Sequence, residues 1–115
     1  IPAQLTPLKQ GDLIFSLCFA RYTRETLTVM DVGRKREASV ITVTDSHVSP
    51  AAKRADIAMV LPFRLKLFGN TVALFALLDA LLGALSLRYP ETTQQRLDSL
   101  EELYEQFNLL TKTDI

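Results

Sequence analysis

Residues 11–25, GDLIFSLCFARYTRE, constrain the fold more than any other stretch of the chain. A turn residue, Gly11, and an acid, Asp12, precede an apolar run from Leu13 to Leu17. The run breaks over Cys18, Phe19, Ala20, Arg21 and Tyr22, and Thr23-Arg24-Glu25-Thr26 then reads as the opening of a helix. Strand, short loop and helix N-terminus make the layout of an anion site in an α/β fold. The first N–H groups of a helix have no partner within it and point at whatever lies before it.

The next segments repeat the pattern. The first strand is expected at about Leu13 to Cys18, and its continuous apolar character suits a strand buried on both faces. A helix is expected from about Arg24 to Arg36, with Thr23 as N-cap, Glu25 in the first turn, and Lys35 and Arg36 in the last. Leu27, Met30 and Arg34 share one side by spacing, and Val29 and Val32 widen the apolar stripe. Gly33 weakens this helix by about 1 kcal/mol relative to alanine. Residues 38–44, ASVITVT, are rich in β-branched residues and read as a second strand. Ser49 can cap a short helix that begins at Pro50, and Asp56 leads into a third strand, Ile57 to Leu61, ended by Pro62. Strand–helix–strand–helix–strand with short links implies a parallel sheet with right-handed crossovers. Its strand C-termini then share one edge, where ligands bind in such folds. The loops there are residues 18–22, 45–49 and 62–69.

The flanks are simpler. Residues 1–10 read as a lead-in loop with a short helical turn near Leu5 to Lys9. Asn70 is a suitable N-cap for a long helix from Thr71 to about Leu87, apolar on nearly every face. Its length would allow a membrane span. Asp79 at its centre, Gly83 and the α/β context favour a helix buried between the sheet and a partner subunit. Pro90 should stop it, and Thr92 or Thr93 should start a last helix to about Leu110. Leu97, Leu100, Leu103, Tyr104 and Phe107 form its seam, and the tail TKTDI is expected to fray.

Charge narrows the function classes. Lys+Arg and Asp+Glu both number 13, giving no net charge. This segment alone is therefore not expected to bind nucleic acid electrostatically. One cysteine allows no intrachain disulfide and fits a reducing cytoplasm. One histidine and one cysteine offer no metal-ligand set, and neither a P-loop nor a G-x-G-x-x-G run is present. No cofactor is expected. The start, Ile1-Pro2-Ala3, without methionine, reads as an internal segment or as a processed or cloned N-terminus.

Two blocks, GDLIFSLCFARYTRETL and VITVTDSHVSPAAKRADIAMVL, resemble the sugar isomerase (SIS) domain. In that family a GD-apolar strand meets a loop of form S-x-S-G-x-T, and a T-D-S…S-P-(L/A)-A…A-D segment follows. The R-Y-T-R-E-T variant, with LLDALLGALSLRYPE and RLDSLEELY, resembles the RpiR/MurR class of bacterial transcriptional regulators in particular. The resemblance covers about residues 10–107. It implies a three-layer α/β/α, Rossmann-like SIS fold with a parallel sheet, of which this chain would be an incomplete part with three strands and C-terminal helices. Residues 1–115 would be the C-terminal two-thirds of the domain. Two earlier strands, a first phosphate loop and a helix-turn-helix domain would lie outside the chain.

By position, Cys18 takes the first serine of the family loop, Ala20 the second, Arg21 the glycine and Thr23 the threonine. The resemblance thus implies phosphosugar contacts from Cys18, Phe19, Ala20, Arg21 and Thr23, with Ser46 from the T-D-S segment. Thr23 keeps a hydroxyl, Cys18 only a weak donor, and Ala20 none. Arg21 adds a charge able to pair with phosphate or to point into solvent. The loop therefore fits either an anion site or a plain strand–helix turn with a degenerate site. Cys18 fits a buried inert thiol better than a reactive one. His47 fits an exposed loop residue better than a base, Asp45 and Ser46 suit bracing of their loop, and no catalytic residue is assigned.

The implied function is a phosphosugar-sensing, dimerising domain of a regulator of carbohydrate metabolism. Its partners would be a sugar phosphate effector and further copies of the chain, forming a dimer or tetramer through the helices at 71–88 and 92–110. DNA would be met only through a domain outside the chain, and a membrane is not expected. The alternatives are an aldose–ketose phosphosugar isomerase and a structural dimerisation module without ligand.

Overall fold

The computed structural model describes residues 2–61 and 71–107. The chain divides into two compact units, Ile1–Leu74 and Phe75–Ile115. The first holds α1 (Pro2–Leu5), β1 (Leu13–Cys18), α2 (Arg24–Lys35), β2 (Ser39–Thr44), α3 (Pro50–Arg54) and β3 (Ile57–Val60). The strands form a parallel sheet in the order β1-β2-β3. This is the expected βαβαβ arrangement, with β1 at the expected bounds.

Two successive crossovers in one direction leave their helices on one face of the sheet when both have the usual right hand. The side chains agree. Ile14, Ser16 and Cys18 of β1 stand in register with Val40, Thr42 and Thr44 of β2. From that face, Cys18 and Val40 join Met30 of α2 and Ala51 of α3 in the core, with Ile14, Tyr22, Leu27 and Ala55 packed around them. Against the expectation of a strand buried on both faces, β1 is covered on one face only: the alternate residues Leu13, Phe15 and Leu17, with Ile57 of β3, are exposed, because α2 and α3 both pack on the other face. Ser16 Oγ is buried without a hydrogen-bond partner among the described residues, and Ser16 lines a cavity of about 230 Å³ with Thr26 and Met30.

Gly33 has a packing reason that its helix propensity hides. A Cβ there would lie 2.4 Å from Ile14 Cδ1 and 3.5 Å from Val40 Cγ2. The absent side chain lets α2 lie close on the sheet. Gly33 also accepts one of the bonds that end the helix. Ala38 N–H donates to Gly33 O (2.9 Å) and Glu37 N–H to Arg34 O (3.1 Å). This is the Schellman pattern, and Glu37 occupies its left-handed position at φ 61°. A glutamate there bears a Cβ penalty that glycine lacks. Glu37→Gly is therefore expected to stabilise the protein by about 0.5–1 kcal/mol. A higher urea midpoint with an unchanged slope would show it; an unchanged or lower midpoint would contradict it.

Ser49 caps α3 as expected, its Oγ accepting from the Ala52 N–H at 3.0 Å. Asp56 does more than lead into β3. Its backbone N–H donates to Val40 O (2.8 Å) while its carboxylate accepts the Val40 N–H (2.8 Å), so it fixes the start of the β2–β3 register. Arg54 Nε donates to Asp31 Oδ1 at 3.0 Å and Arg34 Nη1 to the Arg54 carbonyl at 3.0 Å, tying α2 to α3.

Several expectations need correction. The N-terminal helical turn lies at Pro2–Leu5, not near Leu5 to Lys9. Proline suits the start of a helix because the N–H it lacks would be unpaired there. The helix α2 ends at Lys35, because Arg36 is its C-cap, with its guanidinium on the Thr6 and Leu8 carbonyls. Arg34 shares a side with Leu27 and Met30 but is exposed. Strand β2 starts at Ser39 rather than Ala38, and β3 ends at Val60 although the Leu61 N–H still donates to Thr44 O. The loop at 62–69, the Asn70 cap and the tail after Phe107 lie outside the described residues.

In the second unit, α5 (Pro90–Gln106) begins at Pro90 itself. Pro90 ends the preceding helix and opens the next, with Tyr89 as N-cap, so Thr92 and Thr93 lie inside α5. The helix ends at Gln106, short of Leu110, and exposes Leu97, Leu100, Leu103 and Phe107. The helix α4 (Thr71–Arg88) has a mean hydropathy of 1.7, long and apolar enough by length and composition to cross a bilayer. None of its residues is buried within the chain, and Val72, Phe75, Leu82, Leu85 and Leu87 are exposed.

Candidate functional site

The parallel register sets Cys18, Thr44 and Val60 at the same end of the sheet. The loop between β1 and α2 therefore lies beside the loop between β2 and α3. Thr23, in extended backbone at φ −68° and ψ 128°, is the N-cap of α2, but its side chain makes no capping hydrogen bond. The expected cap is thus a cap by position alone. The first bond of the helix runs from the Leu27 N–H to Thr23 O at 3.1 Å. The N–H groups of Arg24, Glu25 and Thr26 have no carbonyl within the helix to meet. Together with the helix dipole they favour an anion there. Arg21 and Arg24 add positive charge nearby, and Glu25 and Asp45 oppose it.

The residues singled out from the sequence part company here. Cys18 is 3% exposed and belongs to the core between β1, α2 and α3. Burial pushes its thiol pKa up, against a smaller opposing effect from the Thr23 N–H that bonds its sulfur. That makes it a neutral packed thiol rather than a nucleophile. Phe19 is half-buried; Ala20, Arg21 and Thr23 are exposed along the loop. Ser46 belongs to the neighbouring loop, where its Oγ accepts the Val48 N–H at 3.2 Å, and His47 is exposed. Among the described residues no group of His, Cys, Asp and Glu side chains could hold a metal ion.

Arg21, in the middle of the loop, has a φ of 70°. The left-handed region costs a residue with a Cβ about 1–2 kcal/mol, so something must hold the loop in that form. Asp45 reaches this loop from the loop after β2. Its Oδ2 accepts the Ala20 N–H at 3.0 Å, and its Oδ1 accepts the Tyr22 hydroxyl at 2.5 Å. The two donors flank Arg21. The bond to the carboxylate, helped by burial, raises the Tyr22 pKa to about 12. Tyr22 therefore remains a proton donor throughout the neutral range. The second loop is braced in turn, with Thr44 Oγ1 2.8 Å from Ser49 Oγ.

Sequence reasoning missed Tyr22 altogether and gave Asp45 only a role within its own loop. A signal was present. In a parallel sheet, loops that follow adjacent strands are neighbours, so a carboxylate after β2 can reach donors after β1.

Comparisons with known proteins agree with this architecture. The sequence profile of the SIS domain family matches residues 2–84. No curated protein matches the chain. The structure is similar to that of the sugar isomerase domain of an RpiR transcription factor from Sphaerobacter thermophilus, with a TM-score of 0.80 and 28% identity, covering 88% of this chain and 57% of that one. It is also similar in fold to the Vibrio vulnificus NanR protein complexed with ManNAc-6P, with a TM-score of 0.74 and 24% identity, covering 90% of this chain and 40% of that one. The chain thus spans little more than half the length of the first and less of the second. With its parallel βαβαβ core, its loop leading into α2 and a profile match across most of its residues, the chain belongs to the SIS domain family.

Proposed function

We propose that this chain is the phosphosugar-sensing and dimerisation part of a bacterial transcriptional regulator of carbohydrate metabolism. One observation carries the reading. The N-terminus of α2 opens at the C-terminal edge of a parallel sheet, with Thr23 exposed and its side chain not used as a cap. The phosphate of a sugar phosphate would bind the N–H groups of Arg24 to Thr26, with Thr23 and Arg21 beside it. The similarity to regulator domains, one of them in a protein complexed with ManNAc-6P, supports a sensing role over an enzymatic one. In this reading the chain is the C-terminal part of its SIS domain within a longer cytoplasmic protein. DNA is bound by another domain of that protein. The exposed apolar residues of α4 and α5 meet a second copy rather than a membrane.

A second reading, a dimerisation module that has lost its ligand, is favoured by the burial of Cys18 and by the use of the Ala20 N–H on Asp45. Calorimetric titration of the intact protein separates the two. The panel is ManNAc-6P, glucose 6-phosphate and inorganic phosphate, each sugar phosphate paired with its free sugar. Sensing predicts saturable heat with at least one sugar phosphate and none with its free sugar. No heat and no thermal shift across the panel would leave the structural module.

A further inference from the structure

We propose that Asp45 is the positioning residue of the ligand loop. Its carboxylate takes the Ala20 N–H and the Tyr22 hydroxyl together and so holds Arg21 in left-handed backbone, in the form that opens α2 at the sheet edge. The ligand side of this proposal rests on the phosphosugar reading above; the loop side does not.

The geometry supports a latch between two loops. Ala20 and Tyr22 precede and follow Arg21, the residue whose φ of 70° is unfavourable for any side chain. A single hydrogen bond at one side would leave Arg21 free to relax. Two bonds to one carboxylate fix both flanks of the turn. Tyr22 is also packed against the core cluster of Cys18, Met30, Val40 and Ala51, so its ring anchors the latch to the sheet–helix layer. Asp45 directly follows the last residue of β2, with Thr44 Oγ1 3.4 Å from the same Oδ1. The carboxylate is thereby attached to a strand rather than to a long loop. In this chain a side-chain latch does what a glycine would do without strain.

The opposing role for the same carboxylate is competition: an anion already bonded to a loop N–H would repel the phosphate of a ligand. The two roles predict opposite effects on affinity.

The test compares the intact wild-type protein with Tyr22→Phe, Asp45→Asn, Arg21→Gly and Asp45→Asn combined with Arg21→Gly. The first readout is amide hydrogen exchange in residues 19–23, with Val40 to Val43 of β2 as the internal reference for global stability. Asp45→Asn and Tyr22→Phe should each speed exchange in the loop by about tenfold, the expected size for loss of a hydrogen bond to a charged group. The reference strand should not change. Adding Arg21→Gly to Asp45→Asn removes the backbone strain but not the loss of the Ala20 acceptor, so it should slow exchange at Tyr22 and Thr23 relative to Asp45→Asn alone while Ala20 stays fast. Unchanged loop exchange in Asp45→Asn, or no slowing at Tyr22 and Thr23 with Arg21→Gly, would overturn the proposal.

The second readout is affinity for ManNAc-6P or whichever sugar phosphate of the panel binds. Tyr22→Phe and Asp45→Asn should both weaken it, in proportion to their effect on loop exchange. Tighter binding by Asp45→Asn would mean that the carboxylate competes with the ligand, and would overturn the positioning role. Weaker binding by Asp45→Asn alone, with Tyr22→Phe unaffected, would mean direct ligand contact and would overturn it as well. If the wild type binds no sugar phosphate, the phosphosugar reading fails while the exchange readout still decides the latch.

Discussion

Replacing Gly33 with valine is expected to destabilise the sheet–helix unit by about 3 kcal/mol. A Cβ at this position would stand 2.4 Å from Ile14 Cδ1 and 3.4 Å from Ile14 Cγ1. An alanine meets mainly the end of a side chain that can turn aside, and it recovers about 1 kcal/mol of helix propensity. Valine adds two branches pointing into the same gap, so α2 must lift from the sheet or Ile14 must leave its rotamer. The clash has a named partner, which permits a sharper test. The double variant with Ile14→Ala should be more stable than the sum of the two single effects predicts, by about 1 kcal/mol or more. Urea unfolding followed by circular dichroism measures all four corners of this cycle. Additive effects would mean that Gly33 is required for something other than its approach to Ile14.

Met30→Ala is expected to cost a similar amount, about 3 kcal/mol, or roughly 10–20 °C in melting temperature. Met30 is fully buried, the central α2 residue of a core that also takes Cys18, Val40 and Ala51 from three other elements. Few other large side chains fill this layer, so the hole left by alanine has little around it that could collapse inward. Met30→Leu, close in volume, should cost less than about 1.5 kcal/mol. A small effect of Met30→Ala, close to that of Met30→Leu, would contradict the packing described here.

Much of this arrangement can be read from the chain because local and global signals coincide. The apolar run after Gly11 gives β1 at its observed bounds, and Ser49-Pro50 gives the start and cap of α3, each from chemistry within a few residues. The short links then leave a parallel sheet as the economical solution. One misreading comes from a residue that serves two elements: Pro90 both ends α4 and opens α5, so reading it only as a stop places the second start too late, at Thr92 or Thr93. Gly33 looks like a weak point in a helix until Ile14 is seen opposite it, and that pairing is set by the register of helix on strand.

The candidate site was legible in its backbone and less so in its side chains. The turn from Cys18 to Thr23 and the start of α2 follow from pattern. The burial of Cys18 follows from strand alternation, since it shares a face with Ile14 and Ser16. The idle Thr23 side chain and the left-handed Arg21 do not follow from pattern, because each depends on how the loop is held. What holds it, the Tyr22–Asp45 contact, joins residues 23 apart in sequence and exists only once the loops after β1 and β2 are side by side.

Binding of a sugar phosphate at the start of α2 is tested by backbone amide shifts of the intact, isotope-labelled protein, titrated with ManNAc-6P and glucose 6-phosphate and with the free sugars. The prediction is saturable shifts centred on the amides of Arg24 to Thr26 with a phosphorylated sugar, and none there with its free counterpart. Saturable shifts elsewhere with these amides unmoved, or no shifts at any concentration, would contradict it.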